Sequence, residues 1–158
     1  FKVINDTCGH IAGDKLLRQI SQLLKKHIRK HDVLARLGGD EFGILMVNCG
    51  IEDAKSIAQK LIDKVSRYRF LWEDKPFAIS VSIGIAPVSD CINNANDLLR
   101  NADIACYAAK DAGRNCFRIY TESVLDIAKV HGEMQWVTKI NWALENNKFC
   151  LYAQIIQP

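Results

Sequence analysis

Two short apolar runs, residues 33–37 and 42–47, flank the tetrapeptide Gly38-Gly39-Asp40-Glu41. Runs of strand length that meet at a glycine-rich turn pair with each other, so a β-hairpin is predicted over 33–47. The segments on either side take their place around that hairpin. After Gly13-Asp14, Leu16, Leu17, Ile20, Leu23, Leu24 and Ile28 recur at helical spacing, with Asp14 placed to cap the helix. Ile57, Ala58, Leu61, Ile62 and Val65 mark a second amphipathic helix. Phe77, Ile79, Val81, Ile83 and Ile85 alternate with small or polar residues and predict one half-buried strand. A helix over 95–110 carries Leu98, Leu99, Ala102, Ala105, Cys106 and Ala109 on one face. Gly113 can stop it, and a short strand over 116–120 follows. The order helix, hairpin, helix, strand, helix, strand implies helices packed on a largely antiparallel sheet.

Composition narrows the function classes. Of 158 residues, 49% are hydrophobic and 25% charged, which excludes disordered and collagen-like chains and allows a core that needs no disulfide or metal staple. A net charge of +3 is too small to argue for nucleic acid or an anionic membrane surface, and Trp72, Trp136 and Trp142 are too scattered for a base-stacking platform. No nucleic-acid partner is expected. Six cysteines at irregular spacing, with no C-x-x-C pair, read as free core residues of a reducing cytoplasm rather than a zinc site. The longest uncharged stretch, residues 76–89, is too short to span a bilayer. Beyond Tyr120, Val124, Ile127, Val130, Met134, Val137 and Leu144 keep a helical spacing that leads into an apolar run over 149–156. These segments predict a connecting helix and the first strand of another domain.

Four groups of residues carry chemical interest. Gly38 and Gly39 let a chain turn tightly and let a large ligand approach, and Asp40 and Glu41 are hard oxygen donors suited to Mg²⁺; a solvated turn accounts for the same four residues. Lys110 and Arg114, four apart around Gly113, suit phosphate oxygens, while basic residues in a last helical turn also offset the helix dipole. Asn5, Asp6, His10 and Asp14 include the donors and acceptors needed to read a base edge, yet turn formation and capping explain them equally well. His27 and His31 stand at metal-ligand spacing on a helix, but they lack a third ligand, and Arg29 and Lys30 between them would repel a cation. They read as a solvated helix end.

Taken in order, the motifs resemble a known family. Phe1-Lys2-x-x-Asn5-Asp6, Gly9-His10, Gly13-Asp14-x-Leu16-Leu17, Arg36-x-Gly38-Gly39-Asp40-Glu41-Phe42 and Ala102-Asp103-x-Ala105-x-Tyr107-x-Ala109-Lys110-x-x-Gly113-Arg114-Asn115 resemble the GGDEF family, the diguanylate cyclases, over residues 1–120. The resemblance implies an α+β fold, ferredoxin-like and related to the nucleotide cyclases, with an antiparallel sheet and flanking helices. It implies condensation of two GTP to cyclic di-GMP with release of pyrophosphate, each GTP held by one subunit of a homodimer, with Mg²⁺ or Mn²⁺ as cofactor. Carried over by motif, Asn5 and Asp14 would recognise guanine, and Asp40 would bind metal. Glu41 would help bind metal or take the proton of the attacking hydroxyl. Gly38 and Gly39 would make room for the nucleotide, Lys2, Lys110 and Arg114 would hold phosphates, and Arg36 would stabilise developing charge. Arg29-x-x-Asp32 stands at the spacing of the family's inhibitory site for the product cyclic di-GMP.

The resemblance extends further in two directions. In the family a first strand with a D-x-D-like stretch precedes the position of Phe1, so the chain is expected to be cut there and to be inactive by itself. Residues 149–158 resemble the first strand of an EAL phosphodiesterase domain, with Ala153 and Ile156 off the usual pattern. The expected organisation is a GGDEF domain over 1–120, a connecting helix over 121–148 and the start of an EAL-like domain over 149–158. An active cyclase in the intact cytoplasmic protein, itself open to membrane anchoring by other segments, competes with two other functions. One is a GTP- or cyclic di-GMP-binding module that controls an attached EAL domain. The other is a purely structural dimerisation domain, which leaves the joint presence of Asp40, Glu41, Lys110 and Arg114 unexplained.

Overall fold

The structure, a computed structural model, describes residues 1–88, 94–121, 146 and 148. Helix α1 (Lys2–Cys8) ends at Gly9, whose φ of 80° is open to a residue without a side chain, and α2 (His10–Lys25) follows at once. Hairpin strands β1 (Val33–Gly38) and β2 (Glu41–Leu45) come next, then α3 (Ile51–Arg67). A second hairpin, β3 (Arg69–Trp72) with β4 (Lys75–Ala78), precedes β5 (Ile83–Ile85), α4 (Ala95–Asp111) and β6 (Phe117–Ile119).

The apolar stripes found in the sequence face inward. On α2, Ala12, Leu16, Leu17, Ile20 and Leu24 are buried; on α3, Ala54, Ala58, Leu61, Ile62 and Val65. Glu52 and Asp53 in the first turn of α3, and Lys64 and Arg67 in its last, complement the helix dipole. Phe70 of β3 is fully buried against Leu61 and Val65, and Tyr68 donates a 2.6 Å hydrogen bond to Gln19 that ties the end of α3 to α2. Phe42, Ile44 and Ile83 lean on the same core, so both hairpin β1–β2 and strand β5 hang from one apolar cluster. Asn94 caps α4 by accepting from the Asp97 N–H at 2.9 Å. Gly113, at φ 101°, stops the helix, and Arg114 N–H donates to Ala109 O at 3.1 Å in a Schellman-type bond.

The architecture is α+β, as expected, with small strand pairs and flanking helices. Four details differ. The six strands form three separate pairs, and β5–β6 runs parallel, so the antiparallel description holds for the two hairpins only. The alternating run from Phe77 to Ile85 is not one strand: its first part pairs back onto β3, its last onto β6, and residues 79–82 lie in neither ladder. The β3–β4 turn is built from Glu73 and Asp74, both at positive φ (47° and 63°), the pattern of a two-residue I′ turn without its usual glycine or asparagine. Finally, α2 begins at His10, so Asp14 sits inside the helix and does not cap it. The expected connecting helix over 121–148 and the strand over 149–158 lie outside the described residues, apart from residues 121, 146 and 148.

Candidate functional site

The hairpin tip is built by a register shift. Arg36 faces Phe42 but Gly38 faces Glu41, which leaves Leu37 as an extra residue on β1. Such a bulge turns the end of a hairpin and re-aims its side chains. Gly39 takes φ 47° at the first central position of the turn, which glycine tolerates at no steric cost. A Cβ at Gly38 or Gly39 would meet nothing within 4 Å, so both glycines stand at open space. Asp40 and Glu41 are exposed beside them. Arg36 turns back over the tip, its Nε–H donating to Gly39 O at 3.0 Å, so one guanidinium both braces the turn and keeps positive charge next to the carboxylates.

Helix α4 packs on β5 and β6. Gly84 of β5 has no Cβ, and the helix backbone fills the space: a Cβ there would overlap Ala102 O and Cys106 N and stand 3.0 Å from Ala105 C. This close seat holds Cys106 against β5. Burial pushes its thiol pKa up; Asp103 and Glu41 push it in the same direction, and Lys110 opposes them. Glu41 on the hairpin and Lys110 on the helix therefore act on one atom, although 69 positions separate them in the chain (110 − 41). The thiol itself donates to Ser82 O at 3.5 Å. Arg114 and Asn115 both have positive φ (63° and 50°), an uncommon conformation for side-chain-bearing residues that holds Arg114, exposed, just past the helix end.

A third group comes from the two N-terminal helices. Asn5 lies half-buried on α1 where that helix crosses Gly13 of α2; Lys2 and Asp14 are exposed. The Oδ1 of Asn5 is sealed from water with no hydrogen-bond partner. Arg29 and Asp32 stand apart from the hairpin tip, at the other end of β1, a strand about 17 Å long at 3.3 Å per residue. The Asp32 side chain is fully buried. Its Oδ2 accepts from Arg29 N–H at 2.9 Å, and its Oδ1 has no hydrogen-bond partner, with His31 Nε2 4.0 Å away. Arg29 instead reaches across to Asp53 at 3.4 Å. An open groove of about 300 Å³ beside them is lined by Lys26, His27, Arg29, Asp53, Ser56 and Lys60, among others.

The family model for the diguanylate cyclase GGDEF domain matches residues 1–116. This chain belongs to the GGDEF family. It is 45% identical over 120 residues to the probable diguanylate cyclase DgcE of Escherichia coli, covering 76% of this chain and 11% of that protein. It is 34% identical over 157 residues to the cyclic di-GMP phosphodiesterase PdeB of Shewanella oneidensis, covering 99% of this chain and 18% of that protein. The chain thus spans between a tenth and a fifth of the length of these two relatives. Among solved structures, the GGDEF domain of DgcB from Caulobacter crescentus in complex with c-di-GMP superposes with a TM-score of 0.71 at 26% identity, covering 75% of this chain and 71% of that one.

Within this GGDEF domain, the fold gathers the motif residues into three places. Asp40, Glu41 and Arg36 share the hairpin tip, and Glu41 is near enough to α4 to act on the Cys106 thiol. Asn5 meets Gly13, the residue before Asp14. Arg29 lines a groove of its own, and the Asp32 side chain, bonded to the Arg29 N–H, is buried. The carboxylate pair suits a divalent ion in kind, since Mg²⁺ is commonly held by one or two carboxylates plus substrate phosphates and water. Among the described residues no group of three or more His, Cys, Asp or Glu side chains forms a fuller cage. No helix among them is long and apolar enough to cross a membrane. Sequence patterns did not point to Asp53, Ser56 or Lys60, because the polar face of an amphipathic helix carries no sign of what it lies beside. His27, expected as part of a solvated helix end, is half-buried, and its Nδ1–H donates to Leu23 O at 2.8 Å. Gly13 and Gly84 bear no functional group at all, and only the distances around them reveal their part.

Proposed function

We propose that in the intact protein this domain condenses two GTP into cyclic di-GMP and pyrophosphate. The observation that carries the proposal is the pair of exposed carboxylates on a bulged hairpin tip, with Glu41 and Lys110 both acting on the Cys106 thiol of α4 and Arg114 exposed just past that helix. In the reaction the 3′-oxygen of one GTP attacks the α-phosphorus of a second, held by another copy of the domain. The new O–P bond forms as the bond to the leaving pyrophosphate breaks, and the proton of the hydroxyl passes to Glu41. Asn5 and Asp14 hold guanine, Lys2, Lys110 and Arg114 hold phosphate oxygens, and Gly38 and Gly39 leave room for the triphosphate. Arg36 lies close enough to offset charge that builds at the reacting phosphate. Asp40 would hold Mg²⁺ or Mn²⁺, with Glu41 as a second ligand in the alternative where it does not take the proton; the ion would neutralise phosphate charge and lower the pKa of the attacking hydroxyl. Arg29 and Asp32, with the basic groove beside them, form a separate site at which product binds and slows the reaction.

The test uses the full-length protein with GTP and Mg²⁺, with product followed by chromatography and mass. Cyclic di-GMP is expected, and Glu41→Gln is expected to reduce it to background. No product at any protein concentration would refute the proposal.

The likeness to PdeB across nearly the whole chain supports a second reading, in which the domain binds GTP and governs an attached EAL phosphodiesterase that begins near residue 149. GTP would then raise hydrolysis of cyclic di-GMP by the full-length protein, and an unchanged rate across a GTP titration counts against it.

A further inference from the structure

Gly13 is buried in the first turn of α2, and a Cβ there would overlap Oδ1 of Asn5 and stand 3.0 Å from its Cγ and 3.1 Å from Cε2 of Phe1. Every atom in the way belongs to a side chain. The amide that fills the notch is unusual in its own right: its Oδ1 has no access to water and no hydrogen-bond partner. An amide with no bond to fix it is located by the walls around it, and here the wall is the bare backbone of Gly13. Glycine is also the poorest helix former after proline, so a requirement for helix stability alone would favour alanine at this position.

We propose that Gly13 is a positioning residue for base recognition: the missing Cβ is what seats the Asn5 amide next to Asp14, where the two read a guanine edge. The proposal rests on Asn5 being a guanine contact. Guanine offers N1–H and a 2-amino group as donors beside the ring acceptor N3; the exposed Asp14 carboxylate can take the donors, and the Asn5 amide, its oxygen held in the notch, can offer its NH₂ to N3. A methyl group at position 13 expels the amide from the notch and breaks that pairing while leaving the helices packed.

The experiment is calorimetric titration of the chain with α,β-methylene-GTP, whose α–β bridge cannot be cleaved, for wild type, Asn5→Ala, Gly13→Ala and the double variant. Each single variant is expected to weaken binding about tenfold or more, and the double variant to bind no more weakly than Asn5→Ala, since a residue that acts through Asn5 has nothing left to position. Preference for the guanine analogue over its 3-deaza counterpart, which lacks the N3 acceptor, is expected to fall equally in both single variants. A melting curve close to wild type for Gly13→Ala shows that the loss is not unfolding. Binding by Gly13→Ala equal to wild type, or losses that multiply in the double variant, overturns the positioning role. Absence of binding by wild type, or wild-type affinity in Asn5→Ala, overturns the guanine contact and the inference with it. Should Gly13→Ala fail to fold alone, the comparison of the double variant with Asn5→Ala still decides, because the notch is then empty: equal affinity supports the role and a further loss refutes it.

Discussion

Replacing Gly84 by alanine tests whether the seat of α4 on β5 controls the site. The added Cβ would overlap Ala102 O and Cys106 N and lie 3.0 Å from Ala105 C, all of them main-chain atoms of one helix. Non-bonded heavy atoms settle at about 3.5–4.0 Å, and the overlaps with Ala102 O and Cys106 N are closer than that with Ala105 C, so the helix must retreat by more than about 1 Å from the strand. Ala105 and Ala109 are fully buried on the same face, and their contacts open with it. Overpacking of this kind costs about 1–3 kcal/mol, and the upper end applies here because a main chain cannot rotate aside as a side chain does. About 3 kcal/mol corresponds to a fall in Tm on the order of 10 °C for a domain of this size. The shift also carries Lys110 away from Glu41, and a displacement of about 1 Å at a reacting centre costs on the order of 100-fold in rate. Circular-dichroism melting and a cyclase assay on the full-length protein, run well below the variant's Tm, read the two effects separately. A Tm within about 1 °C of wild type together with an unchanged rate would refute the close-seat account. So would rescue by Ala102→Gly or Ala105→Gly, because trimming a side chain cannot relieve a clash with the main chain.

Three further perturbations follow from particular contacts. Cys106 reports on the meeting of hairpin and helix: its thiol pKa lies above the ordinary 9.0, chiefly through burial, with Glu41 raising it and Lys110 lowering it. Glu41→Gln should therefore speed alkylation of Cys106 by iodoacetamide and Lys110→Ala should slow it, as measured by mass spectrometry; identical rates in both variants would place Glu41 away from α4. Because the raised value favours the protonated thiol in the folded state, its contribution to stability is present below pH 9.0 and is lost as pH rises through the folded pKa. Urea unfolding in alkali should show that decline in wild type and a shallower one in Cys106→Ala. Asn94→Ala removes the side-chain cap of α4 and should cost about 1 kcal/mol by thermal unfolding, with Asn94→Asp near wild type; equal losses in both would argue against the cap. Phe70→Ala empties a fully buried position and should cost about 3–5 kcal/mol in urea unfolding, a large share of the stability of a domain this size.

Long periodic segments were legible because burial imposes their period. The stripes of α2, α3 and α4 and the hairpin around Gly38-Gly39 all appear where the apolar spacing predicts them. Short elements were not. Helix α1 buries only Ile4, so its seven residues carry no stripe to detect, and Asp14 was assigned a cap that Gly9 occupies. Strand β3 escaped because its turn uses Glu73 and Asp74 in a conformation that usually signals itself with glycine or asparagine. The split of the alternating run at residues 79–82 is a matter of partners: alternation states which face of a chain is buried but not which strand it pairs with. For the candidate site, motif order located Asp40, Glu41, Lys110 and Arg114, and the electrostatics of Cys106 supply the spatial link that spacing could not.

Most of the candidate site side chains of this domain are exposed, and exposed side chains have little packing to hold them in register. Precision must then come from the backbone beneath. Two glycines act at two such points in opposite ways. At Gly84 the partner is the main chain of α4, so the requirement is absolute and fixes where Lys110 stands relative to the hairpin. At Gly13 the partner is a side chain that can swing away, so substitution there should leave the fold and remove the placement of Asn5. The two groups of candidate residues, Asn5 with Asp14 and Lys110 with the hairpin, are thus set by independent close approaches. Combining Gly13→Ala with Gly84→Ala should therefore give losses of GTP affinity that multiply, whereas Gly13→Ala with Asn5→Ala should not.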